Sequence, residues 1–101
     1  MKVRITQTRN FAKEIDGLIE ADELTQEDFD AFKKKISENP EEGDPIQGTG
    51  GLRETCLKSS STGRGFSVFY FNDLERREIF LLLIDLKNEQ EDLSSDVIRR
   101  G

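Results

Sequence analysis

Histidine and tryptophan are absent from the 101 residues, which contain a single cysteine, a single tyrosine and two prolines. Without histidine the chain lacks the side chain that most often takes up a proton or ligates a metal near neutral pH. The lone Cys56 excludes an internal disulfide and a multi-cysteine zinc site. With no imidazole to activate its thiol, it is expected to be a small packing residue on a strand. Long apolar runs are missing too. The longest, Ile79 to Ile84, falls far short of the ~20 residues a membrane helix requires. The opening MKVRITQT has no apolar signal core, so the expected location is cytoplasmic, with no membrane partner. Glu41, Glu42 and Asp44 lack the regular ligand spacing of a calcium loop, and neither a metal nor a cofactor is expected.

Hydrophobic residues make up 34% and charged residues 36%, enough for one small core in a single domain spanning 1–101. The net charge of −6 is unevenly distributed: residues 1–13 carry four bases and no acid, whereas 14–44 carry net −9. The rest is near neutral, so an acidic helical layer beside a mildly basic remainder is expected, which permits a local anion site.

Val3 and Ile5 alternate with polar neighbours, predicting a first strand. Phe11, Ile15, Leu18 and Ile19 form a helical stripe that Thr8 can cap. Thr25 with Asp28 reads as a capping box for a second stripe of Phe29, Phe32 and Ile36, which Pro40 stops. The short connection predicts an antiparallel helical hairpin. EEGDPIQGTGG from Glu41 to Gly51 is punctuated as a loop. It lacks the Gly-Lys-Ser/Thr ending of a phosphate loop and precedes a strand, so its glycines are expected to serve a turn. Leu52–Lys58 and Phe66–Phe71 read as a hairpin around a flexible serine turn, Ser59 to Gly65. Glu78–Leu86 is apolar on both faces, as for a central strand covered on each side. Ser94 or Ser95 could begin a short C-terminal helix through Arg100. The expected class is α+β: an N-terminal strand, an antiparallel helical hairpin and a three-stranded antiparallel meander, in the order β-α-α-β-β-β.

Lys33, Lys34 and Lys35 follow one another around a helix, cannot all face one ligand, and are expected to be solvated. Arg53, Lys58, Arg64, Tyr70 and Lys87 fall in the strand-rich half. They are of the types that bind phosphate or move protons without imidazole, as cleavage of RNA by its own 2′-hydroxyl requires. Alternation puts Arg53 on one face of its strand and Glu54, Cys56 and Lys58 on the other. It leaves Tyr70 open as a core residue or a proton-transfer group.

GDPIQGTGGLRET (Gly43 to Thr55), GFSVFYF (Gly65 to Phe71) and LKNEQEDL (Leu86 to Leu93), taken together, resemble the RelE/HigB-like toxins of bacterial type II toxin–antitoxin systems. The resemblance implies a ribosome-dependent messenger-RNA endoribonuclease that inhibits translation, and a cognate antitoxin encoded nearby, expected to be a helix-turn-helix protein. It implies catalytic and RNA-binding roles on phosphate for Arg53 and Lys87, which stand at matching places; by residue type, Tyr70 or a carboxylate is the catalytic group expected to handle protons, and Lys58 and Arg64 could partly substitute as RNA contacts from the serine turn. Asn88, Glu89 and Asp92 also stand at matching places. Where similar toxins usually carry bases, this sequence has Glu54, Cys56 and Ser67. A carboxylate in place of a phosphate-contacting cation both removes an attraction and adds a repulsion. The expectation is therefore weakened or absent nuclease activity, with an inactive relative that binds and sequesters an antitoxin as the alternative.

Overall fold

The computed structural model describes residues 3–87. Two helices cover one face of a five-stranded sheet of order β1-β5-β4-β3-β2, formed by β1 (Arg4–Gln7), β2 (Asp44–Pro45), β3 (Leu52–Lys58), β4 (Gly65–Asp73) and β5 (Glu78–Leu86). The pairs β2/β3, β3/β4 and β4/β5 are antiparallel, and β1 lies parallel to β5 with Arg4 opposite Glu78. The α+β class and the order of the expected elements hold. The sequence reading omitted β2, a two-residue strand inside the expected loop. The expected C-terminal helix lies outside the described residues, as do Asn88, Glu89 and Asp92.

Helix α1 (Arg9–Glu20) begins where the Thr8 hydroxyl accepts the Phe11 N–H at 3.2 Å. Helix α2 (Gln26–Glu38) has a complete capping box: Thr25 Oγ1 accepts the Asp28 N–H at 3.0 Å, and Asp28 Oδ2 accepts the Thr25 N–H at 3.3 Å. Removing the Thr25 hydroxyl should cost about 1 kcal/mol. The apolar stripes meet where Phe11 and Phe29 pack 5.9 Å apart, and both helices settle on Leu57, Phe66, Val68, Tyr70, Ile79, Leu81 and Ile84 of the sheet.

The run EIFLLLIDL does not signal a strand buried on both faces. Phe69 pairs with Leu83 and Tyr70 with Leu81, so Leu82 is an extra residue at a β-bulge. The bulge shifts the alternation, so that Ile79 and Leu81 before it and Ile84 after it all face the helices. Leu83 is left 39% exposed on the other, open face.

The serine turn is fastened rather than loose. Ser60 N–H donates to Asp28 Oδ2 at 2.9 Å, and the Ser61 hydroxyl donates to Asp22 O at 3.3 Å. Partial desolvation raises the Asp28 pKa, but the hydrogen bonds from Ser60 and Thr25 outweigh it, so the folded value lies below the usual 3.8. A depressed carboxylate contributes stability that is complete above its unfolded pKa and disappears as pH falls through the folded one. Thermal unfolding followed from about pH 5 to about pH 2.5 should therefore show a smaller drop in Tm for Asp28→Asn than for the parent.

Candidate functional site

Paired positions on adjacent strands project to the same side of a sheet. Cys56 pairs with Ser67, which pairs with Asp85, and Glu54 pairs with Phe69 on one side and Asp44 on the other. These residues share the open face. At its rim the Lys87 N–H donates to Gly65 O at 2.8 Å, which brings the lysine beside the β3/β4 hairpin. The result is a cleft of about 360 Å³ whose walls include Glu42, Asp44, Glu54, Cys56, Ser67 and Lys87. The three positions singled out in the sequence, Glu54, Cys56 and Ser67, thus converge with Lys87 on one site.

That site is acidic. Among the described residues three carboxylates face one ammonium, and although Glu42 is paired with Lys35 at 3.4 Å, Asp44 and Glu54 still outnumber Lys87. The walls contributed by Glu42 and Asp44 were missed in the sequence. They reach the cleft only because β2 folds back on β3, a non-local pairing with no local signal. Cys56 is exposed here, contrary to its expected packing role. Among the described residues no group of three or more potential metal-ligating side chains forms, and no helix is long and apolar enough to cross a membrane.

Arg53 does not join the cleft. It pairs with Tyr70, whose ring points into the core, so the arginine emerges on the helix-covered side. Its Nη1 donates to Gly43 O at 2.6 Å and to Glu41 O at 3.2 Å. Tyr70 is completely buried. Its hydroxyl accepts the Gly43 N–H at 2.9 Å and donates to Pro40 O at 2.9 Å. Burial pushes the Tyr70 pKa above the usual 10.0, against the opposing pull of the Gly43 hydrogen bond and the Arg53 charge. The expectation that Tyr70 transfers protons to a substrate is corrected accordingly: both hydrogen bonds are spent on the backbone, and no exposed surface remains. Tyr70 and Arg53 together clamp the segment from Pro40 to Gly43. Gly43 is required there because a Cβ would lie 2.8 Å from Glu54 O and 2.9 Å from the Tyr70 hydroxyl.

Neither of the two remaining expected RNA contacts lines the cleft. Lys58 borders a separate depression beside α2, with Asp28 and Lys35, and Arg64 forms an ion pair with Glu23 at 3.5 Å. The consecutive lysines are dispersed as expected: Lys33 lies over the Phe29 ring, 4.6 Å from its centre, and Lys35 holds Glu42. The glycine-rich loop serves backbone geometry. Gly51 adopts φ +143°, and a Cβ on it would meet the Phe71 ring at 2.7 Å.

No family model matches the chain. Among solved structures it is similar to the toxin RelE of E. coli, in a mutant with two arginines changed to alanine, in the free state. The TM-score is 0.60 at 21% identity, over 99% of this chain and 98% of that one. The fold is RelE-like. Within it, the sheet position that gathers Glu54, Cys56, Ser67 and Lys87 carries a net negative charge.

Proposed function

We propose that this chain is the toxin-fold member of a type II toxin–antitoxin pair that docks an antitoxin and has lost most or all ribosome-dependent cleavage of messenger RNA. Support for the family role comes from the three sequence strings and the RelE-like fold over the whole chain. The loss of cleavage rests on a single observation: among the described residues, the cleft expected to hold RNA is lined by Glu42, Asp44 and Glu54 with Lys87 as the one cation, while Arg53 is turned away and bonded to loop carbonyls. A phosphodiester entering such a cleft meets repulsion where catalysis needs cations on its oxygens.

Cleavage reduced rather than abolished is the second reading, and the persistence of Lys87 in the cleft favours it. Two measurements separate the possibilities. Induced expression without its neighbour should leave growth unaffected and give no new 5′ ends in primer extension on messenger RNA. Growth arrest with new 5′ ends would restore the nuclease reading. Co-expression with the product of the adjacent reading frame should yield a complex that survives purification; failure to form one would remove the antitoxin role.

A further inference from the structure

A second recess, distinct from the acidic cleft, opens at the opposite end of β5. It has a volume of about 850 Å³ and is lined by Val3, Arg4, Arg76, Arg77 and Glu78. Nine residues of β5 separate the two sites, about 30 Å at the rise of an extended strand. The parallel β1/β5 register places Arg4 opposite Glu78, and the Arg4 N–H donates to Arg77 O at 3.0 Å. Three arginines, one at the start of β1 and two in the β4–β5 turn, are thereby gathered at one edge of the sheet.

Little in the groove neutralises them. Glu78 is the one carboxylate among the described residues of the lining, and with the Thr6 hydroxyl donating to it, it still balances only one of the three guanidinium charges. The Arg76 backbone N–H donates to Asp73 Oδ1 at 3.2 Å, but its guanidinium reaches Asp73 only through Nε at 3.8 Å, with the side chain 75% exposed, a contact of small energetic weight. Among the described residues Arg4 and Arg77 have no ion pair. Arg77 also sits at φ +53°, a left-handed conformation that favours glycine or asparagine at such a turn position. An arginine held there carries backbone strain that glycine would relieve, and retained strain of this kind points to a use for the side chain.

We propose that the Arg4–Arg76–Arg77 groove binds the phosphate backbone of RNA, independently of any cleavage at the acidic cleft. Guanidinium forks match phosphate oxygens in paired hydrogen bonds. Among the described residues Val3 is the one apolar side chain in the lining, so a peptide would find little there to anchor it, whereas a sugar-phosphate backbone is held by charge and hydrogen bonds alone. The acidic stretch of residues 14–44 disfavours RNA on the helical layer.

The test measures fluorescence anisotropy of a labelled single-stranded oligoribonucleotide against the full chain over a series of salt concentrations. With up to three phosphates engaged, the slope of log K against log salt is expected near −2, from about −0.7 per phosphate. Arg4→Ala combined with Arg77→Gly should weaken binding at least tenfold in low salt and bring the slope to about −0.7. Arg77→Gly alone should bind more weakly and yet unfold at a higher temperature than the parent, a pairing that loss of structure could not produce. Unchanged affinity and slope in the double variant, or tighter binding of an oligoglutamate peptide than of RNA, would overturn the proposal. Its failure would leave antitoxin docking untouched, since that is read by co-purification.

Discussion

Glu54→Lys, Cys56→Arg and Ser67→Arg introduced together are expected, on the proposed loss of cleavage, to yield a chain that arrests growth and cleaves messenger RNA where the parent does not. The three positions already share the cleft with Lys87, and the substitutions move the net charge of its walls from −2 to +2. A unit-charge contact at 4 Å is worth about 1 kcal/mol in bulk water and about 4 kcal/mol near a protein surface. Reversing one repulsion and adding two attractions should therefore favour a bound phosphodiester by about 3–4 kcal/mol after screening, or ~10²–10³-fold. Growth after induction and primer extension provide the readout. Retained antitoxin binding and an unchanged circular dichroism spectrum would establish that the variant is folded. A folded triple variant that neither arrests growth nor produces new 5′ ends would show that charge is not what the cleft lacks. Glu54→Lys alone should recover only part of the effect, because Asp44 remains directly opposite it on β2.

Truncating Tyr70 is expected to have the largest effect on stability. Its ring lies fully buried among Phe11, Ile15, Ile79 and Leu81 in one core cluster. Removal of a buried aromatic typically costs about 3–5 kcal/mol, a large share of the ~5–15 kcal/mol that holds a domain together. Tyr70→Ala should leave the chain largely unfolded near 37 °C. Tyr70→Phe keeps the ring and deletes both bonds of the hydroxyl, leaving the Gly43 N–H without its partner. The expected cost is about 1–3 kcal/mol, a fall in Tm of about 5–15 °C for a domain of this size. Differential scanning calorimetry of the two variants provides the measurement. A Tm within 1–2 °C of the parent for Tyr70→Phe would mean that the hydroxyl does not hold the Pro40–Gly43 segment. In the triple variant, adding Tyr70→Phe should lower stability while leaving the pH dependence of cleavage unchanged, because the phenol has no access to the cleft.

The parts of this molecule that could be read from the chain alone are those fixed by short-range physics. Thr8, and Thr25 with Asp28, mark the helix starts because a side-chain oxygen three residues from an orphan N–H has one good partner. Phe11 with Ile15, and Phe29, Phe32 and Ile36, mark the buried faces because helical periodicity puts them there. The separation of Arg53 from Glu54 and Cys56 followed from strand alternation, and the concentration of negative charge followed from counting. Which of those two faces meets the cleft could not be read that way. Arg53, with the most favourable chemistry, lies on the wrong side because its partner Tyr70 is a core residue. EIFLLLIDL looked like a strand covered on both sides because a bulge at Leu82 is a property of the pairing with β4. Asp44 lines the cleft through a two-residue strand whose existence depends on β3.

Sequence by itself determined the helices, the strand-rich second half, the lack of imidazole and the acidic character of the chain. Each of these depends on residues within about one turn of each other or on composition. Tertiary structure alone decided that Glu54, Cys56, Ser67 and Lys87 share an acidic cleft, and that Arg4 meets Arg76 and Arg77 at the other end of the same strand. Register between distant segments, a bulge and a parallel pairing set those meetings, and they arise from burying one shared core rather than from any local preference.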